Sequence, residues 1–339
     1  MKILLFSHSF YPRIGGIETV SLMLAKNFQN KREVSVIVVT HTKEDGTEKL
    51  PFKVVRDPSI KVIYNLLKWC DVVFENNPCF RMSWLNFIVR KPKIVALHTW
   101  IGLPKEKKLI HQKAKTFFLN DYDAVIACSK KIKEHTFKKA TVIENSYEAA
   151  VFKATTIKKT KDFAFVGRLV SDKGADMCIE LLHELNTIQD EKYSLAIIGD
   201  GPEMVKLKEL TSRYKLTSQI RFLGFLSAEA IAYELNENRF LLVPSRWEEP
   251  FGIVVLEGMA CGCIPIVSDG GGLPDAVGNA GVVFERNSHE SFVQKTVQLL
   301  ENTKLQQSLL RNAKAHLGEH TEEEVCQQYF NLILKASKT

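Results

Sequence analysis

Continuous apolar runs, their alternation with helical stretches, and a lysine-rich break near mid-chain predict an α/β protein. The expected architecture is two Rossmann-like, doubly wound parallel-sheet domains facing across a cleft. In the first half the runs are 2–6, 34–40, 71–75, 93–98, 123–128 and 141–144. In the second half they are 162–167, 194–199, 220–224, 240–244, 264–267 and 281–284. Each is apolar throughout rather than alternating, the pattern of strands covered on both faces. Helical stretches lie between them, such as Met204 to Tyr214 and Ser288 to Leu300. Parallel strands joined in this way need right-handed crossovers.

The break is AAVFKATTIKKTKD, residues 149–162, polar and without an apolar period. It predicts a first domain over 1–150, a linker over 151–161 and a second domain over 162–318. A last helix within 319–339 follows Gly318 and is free to pack back toward the first domain.

Composition sets the outer limits. The 339 residues are 45% hydrophobic and 25% charged, which fits a soluble globular protein and excludes a disordered or collagen-like chain. No apolar run reaches the roughly 18 residues of a membrane-spanning helix. Ile3 to Phe6 is too short for a signal-peptide core and reads as a first strand. Seven scattered cysteines, an odd number without C-x-x-C spacing, suit reduced thiols in a cytoplasm better than disulfides or a zinc site.

Charge is divided unevenly. Residues 1–160 hold 28 Lys and Arg against 14 Asp and Glu, and the remainder holds 18 against 25. A basic first half suits nucleic acid, an anionic membrane or a phosphorylated substrate. Nucleic acid is the weakest of these, because no helix-turn-helix, RRM, KH or zinc-finger pattern is present. The stretch 103–119 reads as a helix in which Lys105, Lys107, Lys108, Lys113 and Lys115 interleave with apolar residues. Such a helix is either a membrane or acceptor patch or a packed helix with a solvated basic face.

Three segments carry chemistry. Gly15-Gly16 lie in the first βα turn, where backbone amides can approach a phosphate at a helix N-terminus; a plain turn is the alternative. FVGRLVSDKG (165–174) places Arg168 and Lys173 after a strand, two cations suited to a pyrophosphate, or simply surface charges. Pro244 to Gly281 holds Glu249 just before a helix and Glu257 within it. The amides of Phe251, Gly252 and Ile253 form a helix N-terminus open to anions. Glu249 suits a cap as well as a ligand contact. Glu257 sits among apolar and small residues and needs a partner, either sugar hydroxyls or an arginine.

These segments, with GDGPE (199–203) and the pattern S-x-x-E-E-P-F-G-x-x-x-x-E-G-M-A-C-G, resemble family 4 of the glycosyltransferases. The resemblance covers nearly the whole chain. It implies the GT-B fold and a retaining, metal-independent enzyme that uses a nucleoside-diphosphate sugar and no cofactor. It implies that Arg168 and Lys173 hold the donor diphosphate, that Glu249 contacts hydroxyls of the transferred sugar, and that Glu257 binds the ribose. It implies that Phe251, Gly252 and Ile253 offer amides, that Gly16 beside Gly15 lets the first loop close on the diphosphate, and that His98 lies near the transferred sugar. No Asp-x-Asp metal motif is present. Asp275 stands where the family usually has Glu, which bears on donor identity, and the first domain is short.

The expected function is sugar transfer from a UDP-sugar, or second a GDP-sugar, to a saccharide or lipid-linked acceptor. The setting would be lipopolysaccharide, capsule or other cell-surface glycan synthesis, in the cytoplasm or peripheral on the inner membrane face. Competing readings are a transferase for a small soluble acceptor and a catalytically silent nucleotide-sugar-binding scaffold. A dinucleotide oxidoreductase is disfavoured, since no G-x-G-x-x-G follows the first strand.

Overall fold

The computed structural model describes residues 1–339 except Ile14, Asp45, 102–116, Asp190 and Thr339. The helix expected over 103–119, with Lys105, Lys107, Lys108, Lys113 and Lys115, therefore falls mostly outside the described residues. Two compact units are present: residues 1–145 with 322–339, and residues 146–321.

In the first unit the elements run β1 (Lys2–Ser7), α1 (Gly16–Gln29), β2 (Ser35–Thr40), β3 (Lys53–Arg56), α2 (Ile60–Trp69), β4 (Val72–Asn76), α3 (Phe80–Ser83), α4 (Asn86–Val89), β5 (Lys93–Leu97), β6 (Ala124–Ala127), α5 (Lys130–Thr136) and β7 (Thr141–Val142). All strands are parallel, in the order β3-β2-β1-β4-β5-β6-β7. Strands β1, β4 and β5 are buried almost throughout, which is why they read as unbroken apolar runs. The edge strand β3 escapes that reading. Its four residues KVVR are only half covered, and they carry too little apolar signal to stand out from the preceding loop.

In the second unit the order is β8 (Lys161–Val166), a short 3₁₀ turn Ser171–Lys173, α6 (Ala175–Ile188), β9 (Leu195–Ile198), α7 (Met204–Arg213), β10 (Ile220–Gly224), α8 (Ala228–Glu237), β11 (Asn238–Val243), α9 (Ile253–Ala260), β12 (Ile264–Ser268), α10 (Leu273–Val277), β13 (Val282–Phe284), α11 (His289–Glu301) and α12 (Thr303–Glu319). The parallel sheet is ordered β10-β9-β8-β11-β12-β13. Its core is built from Phe163, Phe240, Phe284 and Phe292 with the apolar face of α6. Side-chain caps start several helices: Ser227 accepts from the Ala230 amide at 3.3 Å and Asn302 from Leu305 at 2.9 Å.

The lysine-rich run 151–161 belongs by its contacts to this second unit. Lys159 explains why. Its ammonium donates to the carbonyls of Leu235, Asn238 and Cys261 at 3.1, 2.7 and 2.9 Å. These carbonyls lie at the C-terminal ends of α8 and α9, where the helix dipole favours a cation.

The last helix, α13 (Glu322–Ala336), packs on the first unit. Tyr329 is fully buried with its ring edge-on to Phe74 at 5.9 Å, and Phe330 lies against Phe28. Lys31, in the turn after α1, reaches Gln327 at 2.8 Å. All seven cysteines are buried free thiols. Among the described residues no helix is long and apolar enough to cross a membrane.

Candidate active site

In the second sheet the order reverses between β8 and β11, which are direct neighbours. Ligands of open parallel sheets gather outside the carboxyl ends of strands at such a point. The loops after these two strands, 167–174 and 244–252, carry Arg168, Lys173 and Glu249.

Their cohesion follows from chain geometry. Gly174 has φ +72°, and a Cβ there would lie 2.3 Å from the Pro244 carbonyl oxygen, so only glycine lets the loops meet. Arg246 locks them further. Its guanidinium grips Asp176 in two bonds of 2.7 Å and donates to the Ser171 carbonyl at 2.9 Å. The Arg246 amide donates to the Asp172 carbonyl at 2.8 Å. A planar fork on a carboxylate fixes orientation as well as distance.

Within this frame the Lys173 ammonium pairs with Oε1 of Glu249. The Ser245 hydroxyl donates to the same oxygen at 2.7 Å, and the Ser268 hydroxyl donates to the Ser245 carbonyl at 2.7 Å. Glu249 is 8% exposed, so its carboxylate depends on that cation and hydroxyl to offset lost hydration. Its backbone carbonyl accepts from the Gly272 amide at 2.7 Å. The loop is also held from the far side, where Arg286 pairs with Glu248 at 2.6 Å.

Arg168 behaves differently. Its side chain is exposed and makes no hydrogen bond or ion pair among the described residues, leaving a free planar cation in the loop that carries Lys173. Phe251 is buried with its ring stacked on His320 at 6.0 Å, which anchors the start of α9. The amides of Ile253 and Val254 precede the first bond of α9, which runs from the Val255 amide to the Gly252 carbonyl at 2.9 Å. Glu257 lies one turn further along and is half-buried, and its carboxylate has no hydrogen bond or ion pair among the described residues. Burial, with Glu148 nearby, pushes its carboxyl up to about 7. Among the described residues no arginine partners it.

The first unit has the corresponding switch between β1 and β4. Gly15 caps α1, where the Glu18 carboxylate lies beside it, and a Cβ at Gly16 would meet nothing within 4 Å. His98 follows β5 and is buried. Its amide donates to Asn77 Oδ1 at 2.9 Å, and the Asn145 side chain bonds the ring. Nε2 is buried without a partner. Burial, only partly opposed by Asn145, lowers the ring to about 4, so it is neutral at physiological pH and offers a lone pair.

Sequence reasoning did not single out Ser245, Arg246, Asp176, Asn77 or Asn145. Ser245 stood in the quoted S-x-x-E pattern. The Arg246–Asp176 fork joins residues 70 apart, a pairing no local spacing reveals. Among the described residues no group of three His, Cys, Asp or Glu is placed to hold a metal.

Two parallel, Rossmann-like sheets with cations and carboxylates at a switch point are the GT-B arrangement of glycosyltransferases, and solved structures agree. Anabaena HepE in complex with UDP aligns over 99% of this chain and 100% of its own, with TM-score 0.83 and 19% identity. WaaG, a glycosyltransferase involved in lipopolysaccharide biosynthesis, aligns over 98% and 99% with TM-score 0.71 and 16% identity. The chain belongs to the glycosyl transferases group 1 family, whose model matches residues 147–316. An uncharacterized glycosyltransferase of Methanocaldococcus jannaschii is 27% identical over 93% of this chain and 92% of its own length. A phosphatidylinositol N-acetylglucosaminyltransferase component from Arabidopsis thaliana is 23% identical over 88% of this chain and 75% of its own length.

Proposed function

We propose that this glycosyltransferase moves a sugar, with retention of configuration and without a metal, from a UDP-sugar to a saccharide or lipid-linked acceptor of cell-surface glycan synthesis. GDP is the second choice of donor. The observation that carries the reading is the Lys173–Glu249–Ser245 cluster, with the unpaired Arg168 in the loop that carries Lys173. UDP in the HepE complex and phosphatidylinositol in the name of the Arabidopsis relative support donor and acceptor class. Work on a lipid-borne acceptor would put the enzyme on the cytoplasmic face of a membrane, as a peripheral protein.

The glycosidic C–O bond to the diphosphate breaks, and the acceptor hydroxyl forms the new bond on the same face and passes its proton to the departing diphosphate oxygen. Negative charge grows on the leaving diphosphate. Arg168 forks its oxygens, Lys173 supplies a point charge, and the first amides of α9 add their dipoles. Glu249 accepts from hydroxyls of the transferred sugar, with Ser245 holding its other contact. Glu257 takes the ribose hydroxyls, which give its lone carboxylate the donors it lacks. Gly15 and Gly16 bring the α1 N-terminus to the diphosphate. His98, neutral and with Nε2 unpartnered, accepts from a hydroxyl of the transferred sugar. No carboxylate need act as a covalent nucleophile, unlike the pair of a retaining glycosidase.

Thermal unfolding with UDP, GDP, ADP and dTDP in turn tests the donor site. A nucleotide at about 100 times its dissociation constant stabilises by about 2.7 kcal/mol, a shift of a few degrees for units of this size. The shift should appear with UDP, survive EDTA, and vanish in Arg168→Ala and Lys173→Ala. No shift with any nucleotide would overturn the donor-site assignment.

A further inference from the structure

We propose that the outer face of α2 to α4 is a docking surface for an anionic phospholipid bilayer. In the first unit every large hydrophobic residue exposed among the described residues falls between Ile60 and Phe118. Ile60 is 62% exposed, Trp84 43%, Ile88 66% and Phe117 74%. They belong to one region of the fold. Ile63 and Leu67 of α2 share a core cluster with Met82 and Leu85, so the helices pack through their inner faces and leave these residues outside. Phe118 lies against Phe80 at 5.3 Å and Phe87 at 5.9 Å, which attaches Phe117 to the same face.

The charge on this region is of one sign. Residues 58–70 and 77–101 contain no Asp or Glu. Lys61, Lys68, Arg81 and Arg90 are exposed and have no carboxylate partner among the described residues. Lys68 sits instead over the Tyr64 ring at 4.5 Å.

Single exposed apolar residues are ordinary, but several gathered on one face mark an interaction surface. Aliphatic and aromatic anchors set among unpaired cations match a surface with acyl chains beneath anionic headgroups. Nucleic acid offers Ile60 and Ile88 no apolar counterpart. The apolar side chains enter the interface, tryptophan stays at headgroup level, and the long cationic side chains reach the phosphates. Ile60, Trp84, Ile88 and the four cations lie apart in sequence from Lys105 to Lys115, which Phe117 and Phe118 directly follow. As a means of reaching a lipid-borne acceptor it rests on the function proposed above, but its evidence is independent of the donor site.

The test is co-sedimentation of the full chain with sucrose-loaded vesicles. Vesicles of phosphatidylcholine mixed with phosphatidylglycerol should bind it, pure phosphatidylcholine should bind it far more weakly, and added salt should release it. The double variant Ile60→Asp, Ile88→Asp changes only exposed positions and should lose about tenfold or more in vesicle affinity. Its melting temperature and its UDP-induced shift should match those of the parent. Lys61→Gln with Arg90→Gln should weaken binding and flatten its salt dependence. Failure of the parent to bind the mixed vesicles, or binding by the Asp variant as strong as the parent's, would overturn the proposal. Capture by an acidic protein surface in place of vesicles would overturn it too. Vesicle binding without any nucleotide shift would break the donor assignment and leave this surface standing.

Discussion

The two units set their candidate groups in opposite surroundings. In the second, charged groups are tied to one another over long sequence distances: Lys173 to Glu249, Arg246 to Asp176, Arg286 to Glu248. In the first, the candidate group is a neutral imidazole: Asn145 bonds its ring, and Asn77 Oδ1 accepts from the His98 backbone amide. The difference matches the work proposed for each. Stabilising charge that develops on a leaving diphosphate needs fixed cations that do not have to reorganise. Orienting a neutral hydroxyl needs only one well-placed acceptor.

The largest effect that would break this contrast is at Lys173. Lys173→Ala removes a cation from the diphosphate and strands the buried Glu249 carboxylate. Transfer should fall by about a thousandfold, the UDP-induced thermal shift should disappear, and the apo protein should melt lower. His98→Asn should lower transfer by only about tenfold and leave the UDP shift intact. Equal losses of UDP binding in both variants would mean that the two units do not divide the work in this way.

A smaller effect sharpens the ribose assignment. Desolvation, with Glu148 nearby, pushes the Glu257 carboxyl up to about 7. Ribose hydroxyls bond the ionised form, so binding must expel the proton. Between pH 8 and 6 the dissociation constant for UDP should rise about tenfold. Glu257→Gln should bind more weakly and lose most of that dependence. Calorimetry across this range measures both. A profile unchanged by the substitution would remove Glu257 from the ribose.

Smaller again is the effect of freeing the loops. Asp176→Asn breaks the fork on Arg246, which is about one-third exposed. It should cost about 1 kcal/mol of stability and raise KM for the donor several-fold with little change in kcat. A fall in kcat with KM unchanged would place the fork in the chemistry itself.

Much of this was legible because buried parallel strands announce themselves. Strands β1, β4, β5, β8 and β11 read directly as apolar runs, and their carboxyl ends placed Arg168, Lys173 and Glu249 in loops. β3 did not, because KVVR at a half-covered edge carries no such run. The partners of the site residues were hidden for a different reason. Ser245 to Glu249 is local, but Lys173 meets Glu249 across 76 residues, and His98 meets Asn145 from a separate stretch of the chain. Only the strand order that sets β8 beside β11 brings the first of these pairs together. The open state of Glu257 was half legible: an apolar helix predicted the need for a partner, and the fold shows that the described residues supply none.

The smallest expected effect concerns His98 and is read in stability. The unfolded ring titrates near 6.5 and the folded ring near 4. The folded state therefore binds fewer protons between these values, and stability falls as pH drops through that window. Above about 6.5 the contribution is complete. By pH 6 the loss should be under about 1 kcal/mol, growing toward pH 4. His98→Gln cannot titrate, so the difference between parent and variant should shrink steadily across that range in urea unfolding. Subtraction removes the titration of every other group, including Glu257, whose folded carboxyl shifts in the opposite direction. A difference that stays flat from pH 7 to 5 would mean that the folded ring accepts a proton as readily as the unfolded one. Nε2 would then be open to water and unsuited to hold a sugar hydroxyl in the way proposed here.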